Sequence, residues 1–210
     1  MLTRPAILLV QALNFAHDGE PALVRDWSAT IGAGVTLLHG DTGSGKSTLL
    51  RLLAGVLPAR GRLTLAGVRF DEDAAAYRRH VFFCDSATDA FDQRSARDTT
   101  ALLGAGDTHF NANQWQGLVE GFALAPHLDK LMYMLSTGSK RKVWLAAALA
   151  SGRALVLLDE PTGGLDAASI SCLWSTLTRC AQRSDQAVIV ASAERTEQVP
   201  LAGSIELPLD

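Results

Sequence analysis

Three stretches of this chain carry residue types that could do chemistry. The first is GDTGSGKST, residues 40–48. Gly40, Gly45, Lys46 and Ser47 satisfy the spacing G-x-x-x-x-G-K-[ST], with an apolar run before and after. A polyphosphate has to be wrapped by backbone N–H groups, and glycines let the main chain bend and approach closely enough. Gly40, Asp41, Thr42, Gly43, Ser44, Gly45, Lys46, Ser47 and Thr48 are therefore expected to cradle a nucleoside triphosphate. In this reading Lys46 reaches the β- and γ-phosphates and the Ser47 hydroxyl ligates Mg2+. The second stretch is ALVLLDEP, residues 154–161, an apolar strand ending in two acids. Asp159 there can hold Mg2+, and Glu160 can polarise a water in line with the γ-phosphate. The third is LSTGSKRK, residues 135–142. Ser136 is a natural N-cap, and Gly138 lets backbone N–H groups approach an anion at a positive helix end.

These stretches need elements to position them. AILLVQALNF (6–15) and WSATIGAGVTLLHG (27–40) read as strands separated by a turn at HDGEP. STLLRLLAGV (47–56) reads as a buried helix, with Pro58 just past its end. GRLTLAGVRF reads as an arm of an antiparallel hairpin and HVFFC as a strand. Residues 87–150 are mostly helical in pattern. ALVLLD and AVIVAS are continuous apolar runs of the kind buried in parallel sheets, with a helical pattern at SISCLWSTLTRCAQ between them. The expected fold is α/β: a mostly parallel sheet carrying the phosphate loop, an antiparallel β subdomain and an inserted helical subdomain, within one domain over residues 1–210.

Composition narrows the functions. With 19 Lys and Arg against 22 Asp and Glu, the net charge of −3 gives no electrostatic case for nucleic acid. The Lys140-Arg141-Lys142 run reads as a solvated helix face. Cys84, Cys172 and Cys180 form no C-x-x-C, and the odd count fits a reducing cytosol. No apolar run approaches membrane-spanning length.

The order of motifs, 40–48, then LSTGS at 135–139, then LVLLDEP, then Gly164-Leu165-Asp166, resembles the ATP-binding cassette (ABC) ATPases over nearly the whole chain. The resemblance is to small exporter-type cassettes, such as the haem-exporter type and drug- or polysaccharide-exporter types. LSTGS matches three of the five positions of the family signature L-S-G-G-Q. The resemblance implies ATP and Mg2+ as ligands and two cassettes, identical or different, closing head to tail on two ATPs. Ser136, Thr137, Gly138 and Asp166 would then meet the nucleotide held by the other chain. It also implies a membrane-embedded partner on a separate chain, and a location on the cytoplasmic face of the cell membrane.

Three further family positions fall on His17, Asp85 and Ala193. His17 stands where the family stacks an aromatic on adenine, with Phe15 two residues away on the same strand face. Asp85 replaces a glutamine that touches Mg2+, and Ala193 replaces a histidine that bonds the γ-phosphate. The expectation is an ATPase using Glu160 and Lys46. The alternative is a slow or non-hydrolysing regulatory cassette of an asymmetric pair. One phosphate loop and no heptads speak against a cassette acting on ribosomes or DNA, and a small-molecule kinase would leave LSTGS and GGLD unexplained.

Overall fold

The computed structural model describes residues 5–83, Asp85 and 88–209. The expected strand at HVFFC thus loses Cys84 from view, and the start of the helical stretch at Ala87 also lies outside the described residues. The chain begins with β1 (Ala6–Ala16), β2 (Ala22–Gly32) and β3 (Gly34–His39). It continues through α1 (Lys46–Leu53), β4 (Arg60–Leu65), β5 (Val68–Arg69), α2 (Ala74–Arg79) and β6 (Val81–Phe83). Helices α3 (Ala96–Leu103), α4 (Ala112–Gly121) and α5 (Thr137–Ala150) follow, with short 3-10 turns between the last two. The chain closes with β7 (Leu155–Asp159), α6 (Ala167–Cys180), β8 (Ala187–Ser192) and β9 (Leu201–Glu206).

Two sheets form. One is antiparallel in the order β2-β1-β4-β5, the other parallel in the order β6-β7-β8-β3-β9. The run WSATIGAGVTLLHG is two strands and not one. Its first part is half exposed and belongs to the antiparallel sheet, whereas Gly34–Leu38 is buried throughout and sits inside the parallel one. A half-solvated strand alternates, and a strand covered on both faces does not.

Side chains alternate across the parallel sheet, so each strand feeds two cores. Val156 and Leu158 of β7 pack with α5, α6 and part of α4. Leu155 and Leu157 pack on the other face with α1 and the antiparallel sheet. Register then levels the strand ends: His39 lies beside Ser192, and Asp159 beside Ala191. The residues just past β3, β7 and β8 therefore emerge together at the carboxyl edge, where parallel α/β sheets bind ligands. No helix among the described residues is long and apolar enough to cross a membrane.

Candidate nucleotide site

At that edge lies a cleft of about 390 Å3. It is bordered by Thr42, Gly43, Gly45, Lys46, Ser47, Thr48, Asp159, Glu160 and Ala193. Gly45 starts α1 at φ 98°, and a Cβ there would lie 2.3 Å from Leu23 Cδ1. Only glycine supplies both that left-handed backbone and that approach. The helix opens with no side-chain cap, so its first N–H groups are left to point at an anion.

Lys46 is 6 % exposed. Its ammonium donates to Gly40 O at 2.7 Å and Asp41 O at 3.0 Å, and Glu160 Oε1 lies 3.2 Å away. Three donors thus face three oxygens. The same Glu160 Oε1 accepts from the Ala193 N–H at 3.0 Å. Glu160 also has φ 42°, a conformation non-glycine residues seldom hold and one that clusters at functional sites. Pro161 follows at the second position of a turn closed by Gly163 N–H on Glu160 O.

Asp159 Oδ1 is buried and has no protein partner. Asp159 and the Ser47 hydroxyl border the same cleft, and the carboxylate and hydroxyl together fit a divalent cation. No group of three or more His, Cys, Asp or Glu side chains converges among the described residues. A cation here would complete its shell from substrate oxygens and water, as Mg2+ commonly does.

The other candidates lie at set positions around this cleft. Ser44 closes a turn on Asp41 O, and its hydroxyl is buried without a partner beside Gly40. His17 sits at the rim, its Nε2 3.5 Å from Thr48 Oγ1 and its ring edge-on to Phe15 at 4.9 Å. Asp85 does not border the cleft. Arg51, one turn along α1 from Ser47, donates to its carboxylate at 2.8 Å. Ser136, Thr137, Gly138 and Asp166 form a separate group. Ser136 caps α5 by accepting from Ser139 N–H at 3.1 Å. A Cβ on Gly138 would meet Gly164 O at 2.4 Å, so α5 starts against the segment after Glu160. Asp166 caps α6 by accepting from Ser169 N–H at 2.9 Å. The Lys142 ammonium bonded to it, with Ser169 next, holds the Asp166 carboxyl well below the usual carboxylate range.

The basic run is no free solvated face. Lys140 binds Asp92 at 2.6 Å, Arg141 donates to Gly163 O, and Lys142 pairs with Asp166. Sequence reading also missed the hold of Ala193 on Glu160, since a backbone N–H leaves no residue-type signal.

Residues 24–163 match the ABC transporter family. The chain belongs to that family. The cassette is 37% identical over 198 residues to the cytochrome c biogenesis ATP-binding export protein CcmA of Rhodospirillum rubrum, covering 91% of this chain and 81% of that one. It is 31% identical over 209 residues to the taurine import ATP-binding protein TauB of Pseudomonas savastanoi, covering 96% and 78%. Its fold superposes on a putative ABC transporter ATP-binding protein from Pyrococcus furiosus with TM-score 0.74 at 23% identity, over 95% and 96% of the chains.

Proposed function

We propose that this cassette binds and hydrolyses ATP and so powers a separate transmembrane subunit through nucleotide-driven dimerisation. One observation carries the reading: the cleft gathers Lys46, Ser47, Asp159 and Glu160 at one sheet edge. Ser47 and Asp159 would hold Mg2+, which when bound neutralises phosphate charge and fixes the phosphate oxygens.

The chain's own residues do the rest. The α1 N-terminus and the loop N–H groups bind the phosphates, and His17 at the rim stacks on the base. An incoming γ-phosphate competes with Glu160 for Lys46. Lys46 moves to the phosphate, and Glu160 is left on the Ala193 N–H alone. Its carboxylate then accepts a proton from the water that attacks phosphorus, while the bond from phosphorus to the ADP oxygen breaks. Substrate thereby releases its own base. The Ser136–Gly138 turn serves the nucleotide of a second cassette. The cassette works at the cytoplasmic face of the membrane, bound to its partner.

A second reading is a slow or non-hydrolysing cassette paired with an active one. Ala193 offers no hydrogen-bonding side chain to the γ-phosphate, and Asp85 is tied to Arg51. Steady-state phosphate release by the wild type and by Glu160→Gln separates the two. We expect the variant to bind MgATP normally and to release phosphate about 10²–10⁴-fold more slowly. Equal rates would favour the second reading.

A further inference from the structure

We infer that a buried water joins Trp144 of α5 to Asp159 of β7 and sets the carboxylate that faces the nucleotide cleft. A recess of about 30 Å3 lies between these elements, bordered by Phe82, Arg141, Trp144, Leu157, Asp159 and Pro161. Two of those residues carry buried polar atoms with no protein partner, Trp144 Nε1 and Asp159 Oδ1. One is a donor only and the other an acceptor. Buried polar groups in folded proteins are nearly always satisfied, so each needs a partner. No direct bond joins them.

The recess chooses the occupant by size and charge. A water needs roughly 10–15 Å3 of such space and two to four polar partners. The indole N–H presents a positive edge and the cationic Arg141 is one of the lining residues, which disfavours a cation. The Asp159 carboxylate disfavours an anion. A water satisfies both unpartnered atoms: it accepts from Trp144 and donates to Asp159.

Asp159 borders both the recess and the cleft. Groups that bind a metal are commonly oriented by a further hydrogen bond behind them. Trp144 is thus a positioning residue, acting on Asp159 through the water. It sits on α5, the helix capped by Ser136, so α5 gains a polar route to the cleft. This step rests on the proposed cation role of Asp159.

The test has two arms. In crystals of the nucleotide-free wild type, density for a water within hydrogen-bonding distance of Trp144 Nε1 and Asp159 Oδ1 is expected. A dry recess overturns the proposal, and this arm stands even if the protein proves not to bind MgATP. In solution, Mn2+ affinity of the nucleotide complex is read by electron paramagnetic resonance. Trp144→Phe removes the N–H and keeps an aromatic ring against Phe91, now 5.2 Å between centroids. It should raise the half-saturating Mn2+ concentration roughly tenfold while leaving metal-free nucleotide binding unchanged. An unchanged Mn2+ affinity overturns the positioning role. If Trp144→Phe does not fold, the wild-type density decides. Wild-type protein that takes up no Mn2+ with nucleotide would instead count against the reading of the cleft.

Discussion

At the residue scale, Lys46 and Glu160 form an ion pair on the wall of the cleft. Lys46 is buried with three oxygens around it, and Glu160 is one of them. Desolvation makes such a lysine costly unless every donor is used. Lys46→Ala should weaken ATP binding by about 1.5–3 kcal/mol, on the order of 10- to 100-fold, measured by calorimetry. It should also lower the melting temperature, because Gly40 O and Asp41 O lose their donor. The loop at residues 40–48 was legible from residue types, since its glycines, lysine and hydroxyl stand at fixed spacing between two apolar runs. The bond from the Ala193 N–H to Glu160 was not. Any residue but proline has that N–H, so position alone confers the role.

At the element scale, α1 must present a free N-terminus and a finished C-terminus. Two carbonyls at and just past its C-terminus are satisfied by α2: Tyr77 Oη donates to Leu53 O at 2.7 Å, and Arg78 donates twice to Gly55 O. Tyr77 is fully buried, and desolvation pushes its hydroxyl well above the ordinary tyrosine value. The folded state therefore keeps a proton that the unfolded chain gives up above about pH 10. The stability Tyr77 contributes is present below that pH and falls by about 1.4 kcal/mol per unit above it. Urea unfolding at pH 9 and pH 11 should show a smaller alkaline loss for Tyr77→Phe than for the wild type. The short α2 was not anticipated from sequence, nor was β9. LAGSIE is mostly exposed and carries a glycine, so this edge strand lacks the apolar run that marks β7 and β8. By contrast α5 was readable, with Ser136 as its cap. Its basic run was not: only the packed segments after β6 and β7 bring Asp92, Gly163 and Asp166 to those three side chains.

At the scale of the whole molecule, the cleft at the sheet edge and the Ser136–Gly138 turn are separate surfaces. No residue of the turn borders the cleft. On the proposed function the turn completes a second molecule's site. Gly138→Asp should then leave ATP binding by the monomer intact and abolish ATP-dependent dimers of a Glu160→Gln background in size-exclusion chromatography. Ser136→Arg should do the same without a new Cβ against Gly164 O. Loss of monomer binding in either variant would place the turn's action within one chain. The sequence by itself determined the local pieces: a glycine-rich loop opening a helix, an acid-terminated buried strand and a capped helix. Each depends on residue type at short spacing, which the chain carries wherever it folds. Only the tertiary structure decided which groups meet. The level ends of β3, β7 and β8 bring Lys46, Glu160 and the Ala193 N–H together, although they are far apart in the chain. Strand order and register are properties of the packed sheet, because they are set by long-range burial on both its faces.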